Sequence, residues 1–224
     1  MELRPVSQAV EDYVKAIYLL EQREGKVTTK ALAVALDVAA PSVTAMIKRL
    51  HGMRLVRHTR YRGVSLSPTG RRMALEVIRH HRLLELYLVE ALGLPWDQVH
   101  EEAERLEHFI SEELEERIAE RLGHPVADPH GDPIPTKGGE VEQPTYLPLS
   151  ELSPGSAAVI KRVTDQAPDK LRYLGDLGLF PDVRVTLLDK APFGGPMSLE
   201  VGKTRCTLGD ELARRIYVLP VEPR

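Results

Sequence analysis

The sequence contains a single cysteine, Cys206, and no long run of apolar residues. One cysteine excludes an intrachain disulfide framework and a zinc site built from several thiolates. Because no apolar run approaches the roughly 20 residues of a bilayer span, we expect a soluble globular protein. The first residues, MELRPVSQAV, lack the apolar stretch of a secretory signal, so the expected location is cytoplasmic and no membrane partner is predicted.

The 224 residues carry a formal net charge of −3, but this charge is unevenly distributed. Residues 1–75 contain 13 Lys and Arg against 6 Asp and Glu, whereas residues 76–125 contain 5 against 13. Six of the eight histidines fall between positions 80 and 130. A basic N-terminal region followed by an acidic, histidine-rich region predicts two binding partners of opposite charge.

Three helices are predicted in the basic region. Apolar residues recur at helical spacing over residues 6–22, and Thr28 or Thr29 can cap a second helix. Pro41 fits the first turn of a third helix, where its missing backbone donor costs nothing. Only the short turn at Asp37 separates the second and third helices, which therefore form a helix-turn-helix.

The third helix and the segment after it are predicted to bind DNA. Val43, Ile47 and Leu50 form the inward face of this helix, which leaves hydroxyl and cationic side chains for a DNA groove. The segments LVRHT and VSLS predict two paired strands, and the four arginines within residues 54–62 favour a DNA-binding wing over a solvated hairpin. The predicted DNA-binding residues are Thr29, Pro41, Ser42, Thr44, Lys48, Arg49, Arg60 and Arg62.

The rest of the chain predicts two helices, a linker and a small β domain. A long helix follows Pro68, and an acidic helix is predicted from Asp97 to Leu122. Seven of the 17 prolines lie in residues 125–154, which predicts a linker, with His124 and His130 solvated beside it. Beyond it, short strand-like runs predict a small β-barrel. The fold class is therefore mainly α with a small β domain.

The segment HEEAERLEHF, residues 100–109, suggests a metal site. On one continuous helix, His100, Glu104, Glu107 and His108 would form a stripe about 100° wide beside an apolar stripe. Carboxylates bordering a buried face are costly unless positive charge lies among them. On the preceding helix, residues 81–85 begin with His and end with Glu, repeating the four-residue spacing. Imidazole and carboxylate groups suit a divalent transition metal, although a solvent-facing acidic helix with incidental histidines would look similar.

Several segments resemble the diphtheria toxin repressor family of metal-dependent transcriptional regulators: DYVKAIYLLEQ, APSVTAMIKRL, YRGVSLSPTG, HRLLE and HEEAERLEH. The resemblance spans residues 6 to about 125 and, more loosely, the C-terminal region. It implies a winged helix-turn-helix in residues 1–73 and a helical metal-binding and dimerisation domain in residues 74–126. A Pro/Gly-rich linker in residues 127–149 and an SH3-like β-barrel domain in residues 150–224 would follow.

The resemblance also implies two metal sites. The ligands of the primary site would be Asp12, Glu104, Glu107 and His108. The ligands of the ancillary site would be His81, Glu85 and His100, with Gln166 or Asp169 from the C-terminal domain as further candidates. Iron-responsive members often have sulfur donors where this chain has Asp12 and Glu104, so the oxygen donors favour Mn²⁺ over softer ions. Fe²⁺ is the alternative, and other divalent transition metals can substitute. Lys15 replaces a carboxylate found in short manganese-responsive members, which favours two well-separated sites.

The sequence therefore predicts a metal-activated, homodimeric transcriptional repressor of metal homeostasis genes, not an enzyme. A metal would join the first helix to the acidic helix and fix the spacing of the two DNA-reading helices on a double-stranded operator. Besides an iron-responsive repressor of the same family, two further alternatives stay open. One is a dinuclear metalloenzyme, because Glu and His on facing helices also build such sites. The other is a winged-helix regulator that responds to a small organic ligand.

Overall fold

A computed structural model describes residues 7–59, 63–142 and 144–222 of the chain. The described residues fall into two compact units, each made of segments that are not contiguous in sequence. The N-terminal unit consists of Met1–His81, Leu106–Ser111 and Pro135–Glu140. The C-terminal unit consists of Arg82–Arg105, Glu112–Ile134 and Val141–Arg224.

The N-terminal unit begins with three helices and a two-stranded hairpin, followed by the start of a long helix. The elements in order are α1 (Gln8–Glu24), α2 (Thr29–Ala35), α3 (Ala40–Gly52), β1 (Val56–Thr59), β2 (Gly63–Leu66) and α4 (Pro68–Glu90). The side chain of Thr28 accepts a hydrogen bond from the backbone N of Ala31 at 3.1 Å and so caps α2. Pro41 lies in the first turn of α3, as predicted. The helix-turn-helix is thus formed by local sequence features.

One face of α1 and one face of α3 form the core of this unit. Val10, Val14 and Ile17 have no exposed surface, and Val43 and Leu50 are equally buried on α3. Their spacing of three, four or seven residues is that of one helical face.

The hairpin of β1 and β2 is antiparallel, and an isolated bridge joins Val27 to Val64. Gly63 has φ of 89°, and a Cβ atom there would lie 2.4 Å from the Val27 carbonyl oxygen. Only glycine fits this position, which brings the wing against the segment before α2.

The acidic region is two helices, and the prediction of one helix from 97 to 122 was wrong. The helices are α5 (Val99–Leu106) and α6 (Glu112–Arg121). Between them, the backbone N of Phe109 donates to the Leu106 carbonyl at 3.0 Å in a turn. Ser111 stands immediately before α6, whose first turn is acidic, and both features favour the start of a new helix. Glu107 and His108 therefore lie in the turn after α5.

The C-terminal unit contains a six-stranded antiparallel sheet. Its strands are β3 (Leu147–Pro148), β4 (Ala157–Val163), β5 (Arg184–Lys190), β6 (Met197–Val201), β7 (Thr204–Leu208) and β8 (Ile216–Val221). The strand order is β3-β8-β4-β5-β6-β7, and within residues 144–222 no pairing closes β3 onto β7. The sheet is accompanied by a 3-10 turn (Leu149–Glu151) and two helices, α7 (Pro168–Asp176) and α8 (Asp210–Ala213). This small β domain supports the predicted fold class.

Alternating side chains of the sheet bury one continuous core. Ile160, Leu187 and Leu199 are fully buried, together with Leu171 from α7. Register shifts between Ile160 and Arg162, and between Leu187 and Asp189, mark irregularities that bend such strands. Trp96, which precedes α5, packs in the same core.

Among the described residues, no single helix has the length and apolar character needed to cross a membrane. Only α2 and α3 taken together meet that test by length and composition, and they are bent by 108°.

Candidate metal centres and DNA-binding face

Three of the four predicted primary ligands converge in the N-terminal unit. Nε2 of His108 lies 2.9 Å from Oδ1 of Asp12 and 3.6 Å from Oε1 of Glu107. One ligand atom from each residue lies within 4.8 Å of the others. Glu107 is buried, and the Asp12 side chain is 38% exposed. One imidazole nitrogen and two carboxylates on a partly open site suit a divalent transition metal.

Glu11 orients the imidazole of His108. Oε2 of Glu11 lies 2.6 Å from Nδ1 of His108. Histidines that bind metal almost always donate their other ring N–H to such a partner, which fixes the tautomer. With Nδ1 directed at Glu11, Nε2 is the ring nitrogen that faces Asp12 and Glu107. The sequence analysis missed Glu11, although its position next to a predicted ligand was an available indication.

Lys15 and His81 complete the surroundings of the Glu107 carboxylate. The Lys15 ammonium donates to Oε1 of Glu107 at 2.9 Å and to Oε2 at 2.8 Å. Nδ1 of His81 lies 2.5 Å from Oε2 of Glu107 and 3.2 Å from the Lys15 nitrogen. His81, predicted as an ancillary ligand, thus contacts a primary one. Nδ1 of the neighbouring His80 lies 3.1 Å from the Glu107 carbonyl oxygen, which ties α4 to this turn.

The fourth predicted primary ligand, Glu104, belongs to the C-terminal unit. There its Oε1 atom lies 3.8 Å from Nε2 of His100, and its side chain is 41% exposed. Nδ1 of His100 lies 3.2 Å from Oε1 of Glu85, whose side chain is buried. The predicted pair of Glu85 and His100 is therefore in contact, with Glu104 beside it.

A second cluster, which we call the buried cluster, consists of Glu85, Asp128 and His130. Nδ1 of His130 lies 3.7 Å from Oε2 of Glu85 and 4.0 Å from Oδ1 of Asp128. All three side chains are at most 1% exposed. Nε2 of His130 lies 2.9 Å from the Trp96 carbonyl, so that it donates there and Nδ1 faces the carboxylates. The expectation that His130 is solvated was wrong, whereas His124 is exposed as expected.

The loop that carries the buried cluster is held by its own side chains. Oδ1 of Asp128 accepts from the backbone N of His130 at 2.8 Å and of Asp132 at 2.9 Å. Gly131 has φ of 84°, and a Cβ atom there would lie 1.9 Å from the Lys161 carbonyl. The segment DPHGD is therefore a tight loop against β4, although its Pro and Gly content predicted a linker.

The buried carboxylates of this cluster favour a positive charge close to them. Burial, together with the charges of Asp132 and Glu85, raises the pKa of Asp128 to about 7. Burial would lower the pKa of His130, but the carboxylates of Glu85 and Asp128 outweigh it and raise the pKa to about 9. A proton on the imidazole or a dication can meet this demand, and the donor set of two carboxylates and one imidazole fits a divalent transition metal.

Among the residues that the structure describes, neither candidate ligand from the C-terminal domain forms a hydrogen bond or ion pair with the buried cluster. The amide of Gln166 donates to Oδ2 of Asp132 at 2.8 Å, and Asp132 also pairs with Arg162. Asp169 is exposed in the first turn of α7. Gln166 thus touches the neighbour of the buried cluster rather than a predicted ligand.

The exposed face of α3 carries the predicted DNA-binding residues of that helix. Pro41, Ser42, Thr44, Lys48 and Arg49 are exposed, opposite the buried face of the same helix. Thr44 donates its hydroxyl to the Ala40 carbonyl at 3.0 Å. Thr29, at the start of α2, is half-buried. Arg60 and Arg62, predicted at the tip of the wing, lie outside the described residues.

These features define a winged helix-turn-helix protein with histidine and carboxylate clusters in its helical part. Residues 6–64 match the family described as "Iron dependent repressor, N-terminal DNA binding domain". Residues 67–136 match "Iron dependent repressor, metal binding and dimerisation domain", and residues 147–220 match "FeoA domain". The chain therefore belongs to the iron-dependent repressor family, which is the diphtheria toxin repressor family.

Individual relatives agree with this assignment. The iron-dependent repressor IdeR of Mycobacterium tuberculosis is 36% identical over 221 residues, which cover 93% of this chain and 95% of the relative. A solved "Manganese-dependent transcriptional repressor complex with manganese" is 38% identical, with a TM-score of 0.85, and the match covers 95% of this chain and 100% of that one. The solved IdeR of T. acidophilum is 30% identical, with a TM-score of 0.75, 98% coverage of this chain and 100% of that one.

Proposed function

We propose that this protein is a metal-activated transcriptional repressor that binds DNA as a homodimer and controls genes of metal homeostasis. It is a transcriptional regulator rather than an enzyme, like the relatives named above. The observation that carries the proposal is the position of Asp12. This ligand lies on α1, the helix that packs in the same unit as α3, while Glu107 and His108 come from the turn after α5.

Asp12, Glu107 and His108, which all lie in the N-terminal unit, would hold the activating metal. A bound dication would attract the carboxylates of Asp12 and Glu107 to one point. Asp12 would bind the metal from α1 and His108 would bind it through Nε2, while Glu11 would hold the imidazole in the required tautomer. Fixing α1 against the turn at residues 106–111 restricts the position of the DNA-reading helix relative to the rest of the dimer.

A second metal would lie at the buried cluster of Glu85, Asp128 and His130. This assignment replaces part of the predicted ancillary set of His81, Glu85 and His100. It is supported by the complete burial of all three side chains and by the two buried carboxylates, which a nearby positive charge would stabilise. The Trp96 carbonyl holds the His130 ring, so Nδ1 is the ligand atom. His100 remains next to Glu85 and can serve as a further ligand on the exposed side.

We propose Mn²⁺ as the physiological metal and Fe²⁺ as the alternative. Both proposed centres offer only oxygen and imidazole donors, which suit Mn²⁺, whereas sulfur donors would favour softer ions. One relative was solved in complex with manganese, and others are named as iron-dependent. Metal availability as well as ligand type decides which ion occupies such a site.

The DNA partner would be a double-stranded, pseudopalindromic operator bound by the exposed face of α3 and by the wing. The two reading helices of a dimer must be spaced by about 34 Å or a multiple, the length of one DNA turn. Residues 67–136 match a family described as a dimerisation domain, which supports the homodimer. We propose that the protein works in the cytoplasm.

Selection from a random duplex DNA library tests this function. With Mn²⁺ the protein should enrich a pseudopalindromic sequence, and its affinity for that sequence should fall about 5- to 150-fold when a chelator replaces the metal. His108→Ala should abolish the metal response, while His124→Ala, which changes an exposed histidine, should retain it. Equal binding of the wild type in Mn²⁺ and in chelator would contradict the proposal and favour regulation by an organic ligand.

A further inference from the structure

Lys15 is a buried lysine whose ammonium group contacts both oxygens of the Glu107 carboxylate. Its nitrogen lies 2.9 Å and 2.8 Å from the two oxygens of Glu107, and 3.2 Å from Nδ1 of His81. Lys15 is only 7% exposed, although lysine side chains usually extend their charge into water. The Glu107 side chain has no exposed surface. Both oxygens of the carboxylate are thus engaged by an internal cation.

The same carboxylate belongs to the proposed primary metal site. Oε1 of Glu107 faces Nε2 of His108 at 3.6 Å, and both group with Asp12 within 4.8 Å. A dication that binds Glu107 must therefore share an oxygen with the Lys15 ammonium or displace it. If they share an oxygen, two cations stand close together in a buried place, where like charges repel strongly. If the metal displaces the ammonium, the buried ion pair is lost.

We propose that Lys15 is an internal competitor for Glu107, which raises the metal concentration at which the protein is activated. This inference rests on the proposed function. At low metal concentration the ammonium neutralises the buried carboxylate. Metal binds only when its interactions with Asp12, Glu107 and His108 exceed the loss of the ion pair. Lys15 is therefore a residue that sets metal affinity without being a ligand.

The inference predicts that removing the lysine charge strengthens metal binding. Lys15→Leu removes the cation without adding a ligand, and we expect its Mn²⁺ affinity at the primary site to increase by about tenfold or more. Lys15→Arg keeps the charge and should stay within about threefold of the wild type. Lys30→Leu removes an exposed positive charge elsewhere in the same unit and should also leave the affinity unchanged.

Free Mn²⁺ can be measured by electron paramagnetic resonance during titration. Unchanged or weaker binding by Lys15→Leu would overturn the inference.

Thermal unfolding provides an independent readout. In chelator, Lys15→Leu should unfold at a lower temperature than the wild type because Glu107 loses its buried ion pair with the ammonium. On addition of Mn²⁺, its midpoint should rise by more than that of the wild type, since stabilisation grows with the ratio of metal concentration to dissociation constant. A rise equal to or smaller than that of the wild type would count against competition. A variant that fails to fold even in saturating Mn²⁺ would show that the lysine is needed with metal bound, and would overturn the inference as well.

A failure of the inference about Lys15 can be distinguished from a failure of the proposed function. A wild-type protein that binds no Mn²⁺, or binds its selected DNA equally with metal and chelator, contradicts the function and with it the inference. A wild type that requires Mn²⁺ for DNA binding, together with a Lys15→Leu variant that binds Mn²⁺ no more tightly, contradicts the role of Lys15 alone.

Discussion

Glu21 of α1 accepts a hydrogen bond from the backbone N of Leu66, at the end of the wing strand β2, at 2.9 Å. Its second oxygen pairs with Arg71 at 2.8 Å, and the Arg71 guanidinium lies 5.3 Å from the centre of the Tyr18 ring. Because Asp12 lies on the same helix, α1 connects the proposed primary metal site with the wing. A shift of α1 would therefore move the wing through the contact made by Glu21.

Replacing Glu21 should separate metal binding from DNA binding. Glu21→Ala removes the hydrogen bond to the wing and the ion pair with Arg71 of α4. A hydrogen bond to a charged group contributes about 1.5 to 3 kcal/mol in typical cases, and the half-exposed Arg71 pair contributes less. We expect operator affinity in saturating Mn²⁺ to fall about fivefold or more, while Mn²⁺ affinity changes less than about twofold. Glu24→Ala is the control, since its exposed carboxylate pairs with the adjacent Arg23. Equal losses in both variants would argue against coupling through Glu21.

Glu11 should affect metal affinity without binding the metal. Loss of a carboxylate that orients a ligating histidine typically costs about 10- to 100-fold in affinity, and we expect Glu11→Ala to weaken Mn²⁺ binding by that amount. Glu11→Gln retains an acceptor for the Nδ1 proton of His108 and should recover part of the loss. Isothermal titration of the two variants with Mn²⁺ makes the comparison. If both variants bind as the wild type does, His108 does not depend on Glu11.

The buried cluster should account for one equivalent of bound metal. His130→Ala removes the imidazole, and we expect metal analysis of the dialysed protein to show the loss of about one Mn²⁺ per chain, because too few ligands remain. The primary site should persist, as judged by Mn²⁺-dependent DNA binding. His124→Ala, a nearby exposed histidine, is the matched control. Full metal content in His130→Ala would exclude this cluster as a metal centre.

The tight fit at Gly131 predicts a large effect on stability. Gly131→Ala would place a Cβ atom 1.9 Å from the Lys161 carbonyl at a φ of 84°. Gly155→Ala has a similar φ of 83° but nothing within 4 Å, so it isolates the backbone strain from the clash. Strain alone costs about 1 to 3 kcal/mol, and we expect Gly131→Ala to lose clearly more in denaturant unfolding. Equal losses would show that the loop relaxes away from β4.

Much of the fold follows from local sequence rules. The cap at Thr28, the proline in the first turn of α3 and the spacing of Val43, Ile47 and Leu50 act within a few residues, so the helix-turn-helix was predictable. The break between α5 and α6 was not, because the acidic residues continue the helical pattern through it. The chain forms a turn at residues 107–109 although its acidic residues keep the spacing of a helix.

The primary site was more predictable than the buried cluster. Asp12, Glu107 and His108 were identified through a family resemblance that runs the length of the helical region. Asp128 and His130 lie in a segment whose prolines and glycines indicate a linker, and only packing against β4 and Trp96 buries them. Such burial depends on contacts between residues far apart in sequence, which periodicity cannot reveal. Lys15 illustrates the same limit, since its ion pair spans 92 positions.

The central claim is that a divalent metal bound by Asp12, Glu107 and His108 activates the protein. Anomalous X-ray diffraction at the manganese edge, on crystals grown with Mn²⁺ and the selected operator, tests it most directly. The account predicts a manganese peak in contact with a carboxylate oxygen of Asp12, a carboxylate oxygen of Glu107 and Nε2 of His108. An operator-bound protein with no metal at these three side chains would contradict it.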